Sequence, residues 1–189
     1  MKKCIWFLGL ALLSLGGCLL KPYVPQPAAE YAVEEGWAIV DSDSLTLFVR
    51  PRIYSGDAQP VASNFFSVYV QVKNKSARPL SLNRSGFSVT VNQQQFDPVP
   101  LSIVLDSFQS GYFPSTYEDP FAPQTQEQQN QNLANARKQY FELVNSYFSF
   151  GDILPNGSKA GFLFYNDWIE SMNSFEFDAF GIPVRFARR

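Results

Sequence analysis

The chain has 189 residues, of which 46% are apolar and 16% aromatic, with 18 phenylalanines, while only 17% are charged. Apolar content at this level excludes disorder as the overall state, and a net charge of −2 without a basic stripe argues against nucleic acid as a partner. Histidine is absent, so the commonest general base and the commonest metal ligand are both missing, and no metal or cofactor is expected.

Residues 1–17 have the layout of a secretory signal, with Lys2 and Lys3 ahead of an apolar run over 5–15. A membrane-spanning helix needs about 20 apolar residues, and this run stops at Gly16 and Gly17, which favours a cleaved signal over an uncleaved anchor. The sequence Leu15-Gly16-Gly17-Cys18 resembles the lipobox of bacterial lipoprotein precursors. That resemblance implies cleavage before Cys18, diacylglycerol on its sulfur and acylation of the new amino terminus. Two or three acyl chains, each contributing about 0.8 kcal/mol per buried methylene, anchor stably where one is marginal. Cys4 leaves with the signal and the Cys18 sulfur carries the lipid, so neither a disulfide nor thiol chemistry is expected. Leu19 stands where the inner-membrane retention signal of Gram-negative lipoproteins usually has aspartate. The implied address is therefore the cell envelope, and the outer membrane in a Gram-negative organism. Removing residues 1–17 takes away two lysines and no acid, which leaves a net charge of about −4, still mild.

Residues 18–35 carry Pro22, Pro25 and Pro27 among small and acidic residues without periodicity and read as a mobile tether. The remaining stretch, 36–189, has the size of one domain with a sizeable core. Its first strand is marked by Leu45, Leu47 and Val49 alternating with Thr46, Phe48 and Arg50, and Pro51 ends it or marks an edge. A second strand runs over 66–73, with Phe66, Val68, Val70 and Val72 on one face, and closes at Asn74-Lys75-Ser76. A short segment at 79–82 follows. Phe87, Val89 and Val91 then lead into a hairpin turning at Asn92 to Gln94, ahead of Phe96. Leu133, Ala136, Tyr140, Leu143, Val144 and Tyr147 recur at three and four and predict an amphipathic helix over about 126–147, with Thr125 and Gln128 placed as a capping box. Alternation returns in Phe162 and Phe164, in Phe175 and Phe177, and in Ile182, Val184 and Phe186.

The passage from strand 66–73 through Asn74-Lys75-Ser76-Ala77-Arg78-Pro79-Leu80 resembles the immunoglobulin-like domains of an uncharacterised group of bacterial envelope lipoproteins. So does the turn Leu154-Pro155-Asn156-Gly157-Ser158 with the outgoing Ala160-Gly161-Phe162-Leu163-Phe164-Tyr165. The two passages cover about half of the mature chain and encode turn chemistry and strand pairing rather than a reaction. The resemblance implies a mainly β fold, an immunoglobulin-like antiparallel β-sandwich with one inserted α-helix, used as an interaction or scaffold module.

Chemistry-bearing constellations are sparse. Asp41-Ser42-Asp43-Ser44 has the opening spacing of a calcium loop without its later glycine and distal glutamate, and reads as a turn. Glu118 with Asp119, and Asp167 with Glu170, are the carboxylate pairs open to acid–base work if a cleft encloses them. Ser158-Lys159 are adjacent, so an extended chain points them apart, and Asn156-Gly157 is explained by a turn. Arg185, Arg188 and Arg189 make a basic C-terminal tip, read first as a solvated chain end and otherwise as a contact for anionic headgroups or a phosphorylated polymer. The aromatics Phe108, Tyr112, Phe113, Tyr117 and Phe121 lie without strand or helix period. They either pack beneath the helix as a satellite core or form an exposed surface for a partner. The leading expectation is a non-enzymatic, lipid-anchored module for an envelope protein partner. The alternatives are a hydrolase using Asp119, Asp167 or Glu170 and a carrier of a small apolar ligand.

Overall fold

The computed structural model describes residues 22–112 and 126–189. It is a mainly β structure in which two five-stranded antiparallel sheets face each other and a helical layer covers part of one of them. The strands are β1 (Tyr23–Pro25), β2 (Ala32–Glu34), β3 (Trp37–Asp41), β4 (Leu45–Pro51), β5 (Phe65–Asn74) and β6 (Leu80–Leu82). They continue as β7 (Phe87–Val91), β8 (Gln94–Phe96), β9 (Gly151–Ile153), β10 (Ser158–Asn166), β11 (Ser174–Ala179) and β12 (Ile182–Arg188). One sheet runs β1-β12-β11-β7-β8, the other β10-β5-β4-β3-β2, and β6 pairs with β9 separately.

Period-2 alternation builds the main core. Leu47, Val49, Val68, Val70 and Val72 from one sheet meet Phe87, Val89, Phe177, Val184 and Phe186 from the other, all out of contact with solvent. Each such side chain contributes roughly 1.5–3 kcal/mol by leaving water. Three hairpins set the register: Glu35-Gly36, Asn92-Gln93 and Phe180-Gly181 have positive φ at both central residues, the type I′ geometry whose twist matches paired strands. Phe180 tolerates it because its N–H donates to the Gly86 carbonyl at 2.8 Å and its ring packs 4.9 Å from that of Phe87.

A second core lies on the outer face of β5 and β10. Helix α1 (Gln59–Asn64), helix α2 (Leu101–Tyr112) and helix α3 (Gln126–Ser146) deliver Val61, Val104, Phe108 and Leu143 onto Phe162 and Phe164, with Tyr54, Ala58 and Tyr147 beside them. β10 is therefore buried on both faces: Leu163 and Tyr165 point between the sheets while Phe162 and Phe164 meet the helices.

The long helix matches the span its period predicts, but it is one of three among the described residues, not a lone insertion. α2 carries Leu101, Val104, Leu105 and Phe108 at helical spacing, a short pattern hidden behind Pro98 and Pro100, while α1 is only six residues long and has proline in its first turn. The tether expectation is corrected for its described part. β1 pairs with β12, Tyr23 opposite Arg188 and Pro25 opposite Phe186, and Tyr31 is buried with its hydroxyl donating to the Gln26 carbonyl at 2.6 Å. Pro25 suits β1 because it is an edge strand, where a missing N–H leaves no ladder bond unmade.

Candidate functional site

The lipobox residues Leu15, Gly16, Gly17 and Cys18 lie outside the described residues, as do Phe113, Tyr117, Phe121, Glu118 and Asp119. Of the five aromatics singled out, Phe108 is 3% exposed and belongs to the second core, and Tyr112 is the last residue of α2. Asp41 closes a hairpin: its carboxylate accepts from the Thr46 hydroxyl at 2.6 Å and from Lys75 at 3.1 Å, and these donors hold its pKa below the usual carboxylate value. Lys159 donates to the Phe150 carbonyl at 3.1 Å. Asn156, at φ +59°, takes the third position of a turn closed by the Gly157 N–H on the Leu154 carbonyl, where asparagine tolerates positive φ.

Of the C-terminal arginines, Arg185 and Arg189 are exposed, as a solvated tip implies, while Arg188 is built into the structure. Arg185 pairs with Glu176 at 3.1 Å. Arg188 donates to the Met172 carbonyl at 3.0 Å and to the Glu170 carbonyl, and lies 4.4 Å above the Tyr23 ring. Burial raises the Tyr23 phenol pKa, with Arg188 acting in the opposite sense. The Tyr23 hydroxyl donates to the Met172 carbonyl at 2.7 Å, so β1, β12 and the turn after β10 are tied together at one point.

That point is a wall of a surface cleft of about 560 Å3 at the end of the sandwich where β1 begins. Phe65 and Phe66 from β5 and Pro51 from β4 supply apolar walls, and Ala62 brings α1 to the rim. Arg50, Arg52 and Arg188 are among its lining residues, and Glu170 is the one acid in the lining. The buried Ser67 places the Arg52 backbone: its hydroxyl donates to the Arg52 carbonyl at 2.6 Å and accepts from the Tyr54 N–H at 3.0 Å. The Arg50 guanidinium sits 5.8 Å from the Trp37 ring centroid, a cation–π contact. Neither Arg50 nor Arg52 enters an ion pair among the described residues. Ile53, next to Arg52, is 68% exposed. Asp167 is not part of this lining, so the structure does not gather Asp167 and Glu170 around it.

Sequence reasoning named Arg188 and Glu170 but neither the cleft nor Arg50, Arg52 and Ser67. The cleft gathers separate stretches of chain, and no local spacing announces it. Among the described residues there is no group of three or more acidic or cysteine side chains able to hold a metal ion.

A second feature is the outer surface of the helices. Residues 130–135 of α3 are exposed without interruption. Leu133 and Phe141 on α3 and Ile103 on α2 are large apolar side chains left more than half exposed. Among the described residues, no helix is long and apolar enough to cross a membrane. Compared with known proteins, the chain matches no family model, no curated protein and no solved structure.

Proposed function

We propose that the protein is a lipid-anchored component of the cell envelope that acts as a non-catalytic interaction module, the sandwich holding a helical surface towards a protein partner. The observation that carries this reading is on α3, where Leu133, expected on the core face but lying in the exposed stretch 130–135, and Phe141, on the side away from Leu143, are both exposed although the helix has a core face at Leu143. Ile103 on α2 is exposed as well, and the segment with Phe113, Tyr117 and Phe121 joins these two helices along the chain. Apolar side chains on a helix already seated by its other face gain from a partner's surface.

The lipobox Leu15-Gly16-Gly17-Cys18 supports the anchoring, and Leu19 supports the outer membrane where the organism has one. Confinement to a surface raises the effective concentration of the domain near its partner, so a modest contact area suffices. The hydrolase alternative draws little support from a cleft with Glu170 as its only acid. The apolar-carrier alternative meets a space between the sheets that is occupied by valine, leucine and phenylalanine side chains.

The test is crosslinking of the acylated protein in its own cells, wild type beside Leu133→Asp/Phe141→Asp, with captured proteins identified by mass spectrometry. A reproducible envelope partner that disappears in the variant, at unchanged thermal stability, is the expected result. No partner with either form overturns the module reading. Intact mass and membrane fractionation beside Cys18→Ala check the anchor separately, through loss of the acyl mass.

A further inference from the structure

We infer that the arginine-lined cleft at the β1 end is a seat for the phosphate groups of anionic phospholipids, through which the sandwich rests on the membrane that anchors it. The inference depends on the lipid-anchored reading for the presence of that membrane. Three features of the cleft point the same way. Its charge opposes that of the molecule: three arginines and one glutamate line it, in a chain of net charge −2. Arg50 and Arg52 have no ion-pair partner among the described residues, and guanidinium is the side-chain group best shaped for phosphate oxygens. Beside them Ile53 is 68% exposed, an apolar side chain placed to enter the glycerol level while the arginines remain among the headgroups.

Position supplies the membrane as the occupant. Pro22 lines the cleft and lies four residues after Cys18. Four residues reach at most about 14 Å, so acyl chains on Cys18 keep the cleft within reach of the headgroup layer, where a basic residue gains attraction to anionic lipid. The far end of the sandwich carries Leu154, 69% exposed, beside the last residue of β5, whose Asn74 amide donates to the Leu154 carbonyl. Phe65 and Phe66, at the start of the same strand, line the cleft.

The experiment uses the acylated full-length mature chain with a polarity-sensitive fluorophore on Ile53→Cys or, as the far-end control, on Leu154→Cys. Cys18 is blocked by its lipid, so the introduced thiol is the reactive one. Each form is reconstituted into vesicles of phosphatidylcholine alone or of phosphatidylcholine and phosphatidylglycerol in equal amounts. The expected result is a blue shift at position 53 in the mixed vesicles only, none at position 154, weakening as salt shortens the Debye length, and lost in Arg50→Gln/Arg52→Gln. Equal emission at position 53 in both vesicles, or a shift that survives the double substitution, overturns the seat. A shift produced by inorganic phosphate without vesicles overturns the lipid as the source of the phosphate. Failure of the anchor reads differently: the acyl mass is missing and the chain stays in solution. In that case, added mixed vesicles still decide the cleft by the presence or absence of the shift at position 53.

Discussion

Asn74 shows how one buried polar side chain closes the far end of the sandwich. It is fully buried, and its amide nitrogen reaches the carbonyls of Arg78 at 2.8 Å, Ile153 at 3.0 Å and Leu154 at 3.3 Å. Its side-chain oxygen accepts from the Ser76 N–H at 2.9 Å and hydroxyl at 2.8 Å, and its own N–H donates to the Gly157 carbonyl at 2.9 Å. The two passages on which the immunoglobulin-like resemblance rests are thus joined physically through this residue. Asn74→Ala takes the shared donor from the buried Ile153 carbonyl and the side-chain acceptor from the Ser76 N–H, each loss costing about 1–3 kcal/mol before relaxation, while the Arg78 and Leu154 carbonyls keep the Ser76 hydroxyl and the Gly157 N–H. The expected loss is about 3 kcal/mol, read as a lower urea midpoint at unchanged m-value. An unaltered midpoint would mean that water replaces the amide without loss. Tyr165 is the opposite case, a phenol inside the main core whose hydroxyl has no hydrogen-bond partner among the described residues and whose pKa burial drives well above its ordinary value.

At the scale of elements, the decisive contact is between the exit of α3 and β10. The Phe148 N–H donates to the Phe162 carbonyl at 2.9 Å, and Tyr147 forms a parallel bridge with Phe162. This approach is possible because residue 161 is glycine: a Cβ there would stand 2.7 Å from the Phe148 N and Cα and 2.9 Å from the Ser146 carbonyl oxygen, all backbone atoms. Gly161→Ala therefore forces the helix exit away from the strand, with an expected cost of about 3 kcal/mol, at the upper end for overpacking. Gly181→Ala is the matched control. Its Cβ would meet nothing within 4 Å, so only the positive φ of +79° is penalised, at about 1 kcal/mol. Equal losses in the two variants, measured by chemical denaturation, would refute the close-approach argument.

The same contact marks the limit of what was legible beforehand. β4, β5, β7, β11 and β12 were readable because their apolar residues alternate, and α3 because its apolar residues recur at three and four. In β10 the run Gly161-Phe162-Leu163-Phe164-Tyr165 is apolar on both faces, so alternation does not say which face meets the sheet and which the helices. α1 and α2 are short and border prolines, and β1 is a three-residue proline-bearing edge. The cleft was illegible for a different reason: Tyr23, Arg50, Ser67 and Arg188 converge on it only through the pairings of β1 with β12 and of β4 with β5.

For the whole molecule, the consequence of two strands that serve both cores is shared stability. β5 and β10 contribute to both cores, with Val68 and Leu163 inward and Phe162 and Phe164 outward. Removing the helices would expose the outward phenylalanines, and loosening the sandwich would disperse the platform on which α1, α2 and α3 rest. The first half of α3 is exempt, since residues 130–135 are exposed, and its amides are expected to exchange faster than those near Leu143. Leu143→Ala tests the coupling: the side chain is fully buried in the second core, and its truncation costs about 3 kcal/mol. If the cores unfold together, that loss shifts the helical signal in far-ultraviolet circular dichroism and the aromatic signal in the near ultraviolet to the same denaturant midpoint. If the helical layer is an independent appendage, the far-ultraviolet transition moves to lower denaturant and the aromatic signal, including that of Phe87, Phe177 and Phe186 in the main core, remains behind in a second step.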